Sequence, residues 1–179
     1  MSSLLVVTGP PGAGKSTVAR VLASRFDPSV LVEGDAFFAF LARGAVPPWL
    51  PGSREQNEIV TQAAASAAGR YASAGYATVY DGVVGPWFLA TFATATGLAR
   101  LDYVVLLPSV ERCVERVGTR QDHGFTDEGG TRKMHQEFAG AEVEARHVLV
   151  DPPERPESVA DLIVAGAGNG NLVYRCGTG

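Results

Sequence analysis

Cysteine and lysine are both scarce in this chain. Among 179 residues only Cys113 and Cys176 carry thiols. Two cysteines are too few for a disulfide framework, and no Cys/His cluster has the spacing of a zinc site. Lysine occurs twice, once as Lys15, against 13 arginines. Charged residues make up only 19% of the chain and the net charge is −4, which argues against electrostatic binding to nucleic acid or to an anionic membrane. No apolar run approaches the length of a membrane span. Met1-Ser2-Ser3 leads straight into an apolar run, so no signal peptide is expected and a cytoplasmic location is. There are no internal repeats and no dividing linker. With 46% hydrophobic residues, the expectation is one globular domain over 1–179, as monomer or homodimer.

What is present is alternation. Apolar runs at 4–8, 30–34, 77–81, 102–107 and 147–150 alternate with amphipathic segments at 15–25, 54–74, 86–98, 109–118, 131–145 and 156–165. The runs lack polar alternation, as strands covered on both faces should. The pattern predicts an α/β fold, a five-stranded parallel sheet flanked by helices. Three stretches interrupt it: "RGAVPPWLPGS" (43–53), "GTRQDHGFTDEGG" (118–130) and the Gly-rich tail 166–179. The tail is too Gly-rich for a helix, and its Leu172–Tyr174 is read either as a short edge strand or as loose chain. Loops of this length in a compact fold are usually lids or binding segments.

The first loop has the sharpest chemistry. "LLVVTGPPGAGKSTVARVL" sets Gly9, Gly14, Lys15 and Ser16 at the full G-x-x-x-x-G-K-[ST] spacing, after a strand and at the head of a helix. Backbone N–H groups of such a turn (Gly9, Gly12, Ala13, Gly14) converge on phosphate, with Pro11, which has no N–H, shaping the loop, and the helix dipole adds to the attraction. Lys15 is expected on the β- and γ-phosphates, the Ser16 hydroxyl on Mg²⁺, and Thr17 near the α-phosphate.

Two aspartates end strands on the side where ligands gather in an open parallel sheet. Asp35, in "VLVEGDAFF", is read as general base for an attacking hydroxyl. Asp81, in "TVYDGVVG", stands where a carboxylate holds magnesium directly or through water. Either could instead cap the helix that follows. Glu33 should point away from Asp35. Farther on, Arg112, Arg116 and Arg120 recur every four residues down one helix face into a loop. Arg116 and Arg120, nearest the loop, are expected to neutralise charge on a departing γ-phosphoryl, a contribution of ~10³ to 10⁵ in rate. The alternative is a solvated helix face pairing with Glu111 and Glu115. Cys113 and Val114 should lie on the core side, and His123 is incidental.

Together, "GPPGAGKST", "EGDAFF", "VYDG" and "ERVGTRQDHGFTDEGGTRKMHQEF" resemble the small P-loop kinases, within them the gluconate kinase, chloramphenicol phosphotransferase and zeta-toxin-like group. The resemblance covers roughly residues 4–165, and the P-loop is its sharply diagnostic part. It implies a P-loop NTPase fold with a helical lid (about 116–133), and ATP-dependent phosphorylation of a small-molecule hydroxyl. It also implies that Asp35 is base or substrate anchor, that Arg116 and Arg120 are lid arginines, and that Asp151–Arg155, including Pro153, flanks adenine. The chain departs from nucleoside monophosphate kinases, whose "DGFPR" it meets only as "DGVVG". An arginine clamp for a second nucleotide is lacking, although Arg43 and Arg54 are available.

The expected acceptor segment (about 36–54) is apolar: Phe37, Phe38, Phe40, Leu41, Trp49 and Leu50, joined by Trp87 and Phe88. A bare sugar acid calls for more donors and a firm cation, whereas aromatic groups suit a bulkier acceptor such as an antibiotic or other natural product. Equally, these aromatics are core that holds a short helix on the sheet. The candidate acceptor set is Asp35, Phe38, Arg43, Trp49, Arg54, Asp81 and Trp87. Nucleoside monophosphate and gluconate-like kinases are the near alternatives. A hydrolytic nucleotide switch is the distant one, since neither D-x-x-G nor N-K-x-D is suitably placed.

Overall fold

A computed structural model describes residues 3–119 and 127–177. The central strand β1 (Leu4–Thr8) is buried along its whole length. It runs into helix α1 (Lys15–Ala23), and the chain continues through β2 (Ser29–Glu33), the short α2 (Gly34–Phe38), α3 (Arg54–Ser73), β3 (Ala77–Asp81), α4 (Pro86–Thr96) and β4 (Arg100–Leu107). Helices α5 (Val110–Gly118) and α6 (Glu128–Ala139) follow, then β5 (Val148–Val150), α7 (Pro156–Gly168) and β6 (Val173–Arg175). Five strands are parallel in the order β2-β3-β1-β4-β5, the arrangement expected from the alternating pattern. The fold is α/β of the P-loop type.

The sheet separates two apolar layers. Leu5, Val7, Val79, Val104 and Leu106 face α1 and α7; Leu4, Val6, Tyr80, Tyr103 and Val105 face α3, α4 and α6. Strand periodicity therefore decides which helix each strand-end residue meets. Asp81 follows Val79 toward α1, whereas Tyr80 goes to the opposite layer, its ring edge-on to Phe92 at 4.7 Å.

Three expectations are corrected. The sheet has a sixth strand: β6 pairs antiparallel with the start of β4, the edge-strand option for the tail. Helix α7 runs past residue 165 through Gly166 to Gly168, against the expectation that this Gly-rich stretch is non-helical. The reason is tertiary. Leu172 is buried as the chain folds back, and a Cβ at Gly166 would sit 3.2 Å from its Cγ. Helix α6 begins at Glu128, capped by the Asp127 carboxylate on the Gly129 amide, and ends at Ala139 rather than spanning 131–145. Gly140 and a 3₁₀ turn at Ala145–His147 lead from there into β5.

Candidate active site

The loop after β1 is held open by glycine geometry. Gly9, Gly12 and Gly14 have φ of 146°, 79° and 90°, values that side chains resist. At Gly12 there is no room either, because a Cβ would collide with the carbonyl group of Cys113 in α5. The loop is thus wedged against α5, whose Cys113 and Val117 are buried beneath it, while Val114 is only half-buried. Lys15 donates through Nζ to the Pro10 carbonyl at 3.0 Å, curling across the loop's mouth. Arg116 reaches over from α5, its Nη1 3.4 Å from the Gly12 carbonyl.

Opposite stands Asp81, only 7% exposed. Burial raises its proton affinity; the Ser16 hydroxyl, which hydrogen-bonds its carboxylate, and the Lys15 charge oppose the rise, and Asp35 and Glu33 add to it. A buried carboxylate kept beside a hydroxyl and an ammonium is a hard-oxygen pair suited to a divalent cation. The residues fit magnesium. Asp81 is no helix cap, since Gly85 takes that position in α4. The intervening loop is pinned instead: the Val84 amide donates to Thr8 Oγ1 at 2.8 Å, and the Tyr103 hydroxyl donates to the Val84 carbonyl at 2.8 Å.

Asp35 does not end β2, which stops at Glu33, but lies exposed in the first turn of α2, because the chain turns helical at Gly34. It is not the N-cap, a position taken by Glu33. Its charge is felt by Asp81 and by the buried Tyr80 hydroxyl, which burial pushes up first and these two carboxylates push further. Glu33 points back to α1, where Arg20 meets it at 3.2 Å.

Two cavities open at this end of the sheet. The first, ≈ 280 Å³, lies between the loop, α5 and the segment after β5; Ala13, Gly14, Thr17, Arg112, Arg116 and Pro153 line it. Arg112, set aside in the sequence in favour of its neighbours, is tied to the Pro152 carbonyl at 3.4 Å and to Glu154 at 3.8 Å. Its spacing with Arg116 was the available signal; the partner 40 residues away was not. The second cavity, ≈ 330 Å³, gathers Leu50, Arg54, Asn57, Trp87, Phe88, Lys133 and Glu137 from the starts of α3 and α4 and from α6. Lys133 and Asn57 had no sequence signal for this.

Of the remaining candidates, Phe38 is half-buried, and Arg43 and Trp49 are exposed; none lines either cavity. The aromatic segment divides between the two readings left open. Phe37 packs on the core, whereas Phe40 is 74% exposed. Arg120 and His123, with the rest of 120–126 in the expected lid, fall outside the described residues.

A Gly-rich anion loop, a buried hydroxyl–carboxylate pair and cationic helices along the carboxyl edge of a parallel sheet define a P-loop nucleotide-site architecture. The sequence pattern described as AAA domain matches residues 4–155, and the chain belongs to that family. Its fold is that of the small P-loop kinases. A tunicamycin resistance protein from Deinococcus radiodurans is 17% identical over 94% of this chain and 96% of its own, with a TM-score of 0.70. A sugar kinase from Janibacter sp. HTCC2649 is 20% identical over 94% and 95%, with a TM-score of 0.72. A gluconokinase from Sinorhizobium meliloti 1021 is 19% identical over 95% and 93%, with a TM-score of 0.64. No curated protein matches the chain. Among the described residues no helix is long and apolar enough to cross a membrane.

Proposed function

We propose that this chain is a kinase, taking the γ-phosphoryl of ATP to a hydroxyl of a small molecule, with an antibiotic or other natural product as acceptor. The observation that carries the reading is the Ser16 hydroxyl on buried Asp81 beside Lys15, at the mouth of a complete P-loop.

The loop amides and Lys15 hold the polyphosphate, and the first cavity, with Arg112 and Pro153 in its wall, takes the base. Ser16 and Asp81 would hold magnesium, which supplies charge neutralisation on the phosphates when bound. Asp35 accepts the proton of the acceptor hydroxyl. The hydroxyl oxygen then bonds to the γ-phosphorus as the bond from that phosphorus to the bridging oxygen of ADP breaks. Arg116, and Arg120 from the lid, offset the charge that spreads over the transferred group. Closure of a lid over 116–133 excludes water as a competing acceptor. The tunicamycin resistance protein among the structural neighbours supports an antibiotic acceptor.

The test is an antibiotic and metabolite panel incubated with ATP and magnesium, with mass spectrometry for compounds that gain one phosphoryl group. ADP release independent of any acceptor would favour a hydrolytic switch. No calorimetric heat from ATP or GTP with magnesium, for the wild type and Lys15→Ala alike, would remove the nucleotide reading altogether.

A further inference from the structure

The second cavity has a charge pattern that the sequence did not reveal. Arg54 is the first residue of α3, Trp87 the second of α4, and Lys133 lies on α6. Helices α3 and α4 both start at the carboxyl edge of the sheet, the edge at which β1 runs into the P-loop, and residues from three separate crossovers meet in this cavity. Four arginines are matched to carboxylates, Arg20 with Glu33, Arg25 with Asp161, Arg112 with Glu154 and Arg146 with Glu144, and Arg54 is among the described arginines that are not. Among the described residues neither Arg54 nor Lys133 has an ion pair or hydrogen bond.

Arg54 also sits against the helix dipole. A cation at a helix start is disfavoured by about 0.3–1 kcal/mol, so its position does not serve α3. Glu137, one turn after Lys133, lines the same cavity without pairing to it, and the lining keeps one net positive charge. Asn57 also lines the cavity and adds an unmet acceptor, which suits a hydroxyl of the bound compound rather than its anionic group. Its amide nitrogen donates to the Pro48 carbonyl at 2.8 Å and to Ser53 Oγ at 3.1 Å, and its Oδ1 is buried without a donor. Trp87 packs against Phe138 in a tilted arrangement, ring centroids 5.2 Å apart, and is still 39% exposed, which provides a ring surface in the same cavity as the cations.

We infer that the acceptor is an anion: a ring-bearing hydroxyl compound with one carboxylate or phosphate monoester, held between Arg54 and Lys133 with its ring at Trp87. This rests on the kinase reading only in naming the bound compound an acceptor. The anion selectivity stands by itself. It replaces the expectation, drawn from the aromatic residues alone, of an acceptor recognised without a firm cation.

The experiment titrates the full chain, without nucleotide, with 3-phenyllactate, its neutral analogue 3-phenyllactamide, and phenyl phosphate, by calorimetry and tryptophan fluorescence. Both anions should bind at least about tenfold more tightly than the amide, the low end for a hydrogen bond to a charged group. Arg54→Gln and Lys133→Met should each remove about tenfold of that preference without lowering Tm, since both side chains are exposed. Phenyl phosphate is also run on Lys15→Ala, where surviving affinity is assigned to this cavity rather than to the P-loop. The ratio of the two anion affinities tells carboxylate from phosphate. Equal binding of acid and amide, no binding of either anion, or variants that match the wild type overturns the inference. Loss of ATP binding with intact anion selectivity overturns the kinase reading alone.

Discussion

Replacing Gly12 by alanine tests how firmly the phosphate loop is wedged against α5. Two costs add at this position. The backbone has φ of 79°, and holding a non-glycine residue in that left-handed region costs about 1–2 kcal/mol. The new Cβ would also stand 2.8 Å from both the carbonyl carbon and the Cα of Cys113. Carbon atoms rest at about 3.5–4.0 Å, so loop and helix must part by roughly 1 Å. Overpacking of this kind costs about 1–3 kcal/mol, and the total is about 2–5 kcal/mol. Gly44→Ala is the control, because Gly44 has φ of 74° with nothing within 4 Å of its Cβ position. Urea denaturation should place Gly44→Ala about 1–2 kcal/mol below the wild type and Gly12→Ala at least about 1 kcal/mol lower still. Parting loop and helix also moves Arg116 away from the Gly12 carbonyl, so ATP affinity measured by calorimetry should fall for Gly12→Ala and hold for Gly44→Ala. Equal destabilisation by the two substitutions would refute the wedge.

Asp35→Asn should lower turnover by ~10² to 10⁴ if the carboxylate takes the acceptor proton; near-normal turnover in a coupled ADP assay removes it from the mechanism. Thr8→Val keeps the shape of the strand end and leaves the buried Val84 amide without its acceptor, at a cost of about 1–3 kcal/mol in chemical denaturation; no change would mean that the amide finds another partner. Burial raises the Asp81 carboxyl above its ordinary value, so its ionised form opposes folding at neutral pH and that opposition fades as pH falls toward 3.8. Asp81→Asn should therefore raise the Tm of the ligand-free protein at pH 7, with the gain vanishing in acid, and should abolish the extra stabilisation that magnesium gives with ATP. A Tm at pH 7 no higher than that of the wild type counts against the assignment. Burial holds the His147 imidazole below its ordinary 6.5, with Nδ1–H donating to the Tyr103 carbonyl at 2.9 Å. The unfolded chain then binds the proton first, so stability falls as pH drops below about 6.5. His147→Gln should flatten that part of the pH–stability curve, and an unchanged slope would exclude His147 as its source.

The P-loop is legible because each of its parts is local. Glycine freedom, the lysine and the hydroxyl act within eight consecutive residues, and the apolar run before them can only be a buried strand. The five parallel strands follow from the same logic, since uninterrupted Val/Leu runs separated by helix-length segments leave a parallel sheet as the one way to cover both faces. The tail was misread for the opposite reason. Glycine content lowers the local preference for helix, but Gly166 lies in α7 because Leu172 returns to pack on it.

By itself, then, the amino-acid order determined the phosphate loop, the strand alternation and Asp81 at the end of β3, all matters of near neighbours and side-chain period. The tertiary structure alone decided that Asp81 shares a hydrogen bond with Ser16, that Arg112 closes on Pro152 and Glu154, and that Lys133 joins Arg54 and Trp87 around one cavity. These partners stand 33 to 79 residues apart, and their meeting depends on crossover paths and sheet order, for which no single segment carries a signal.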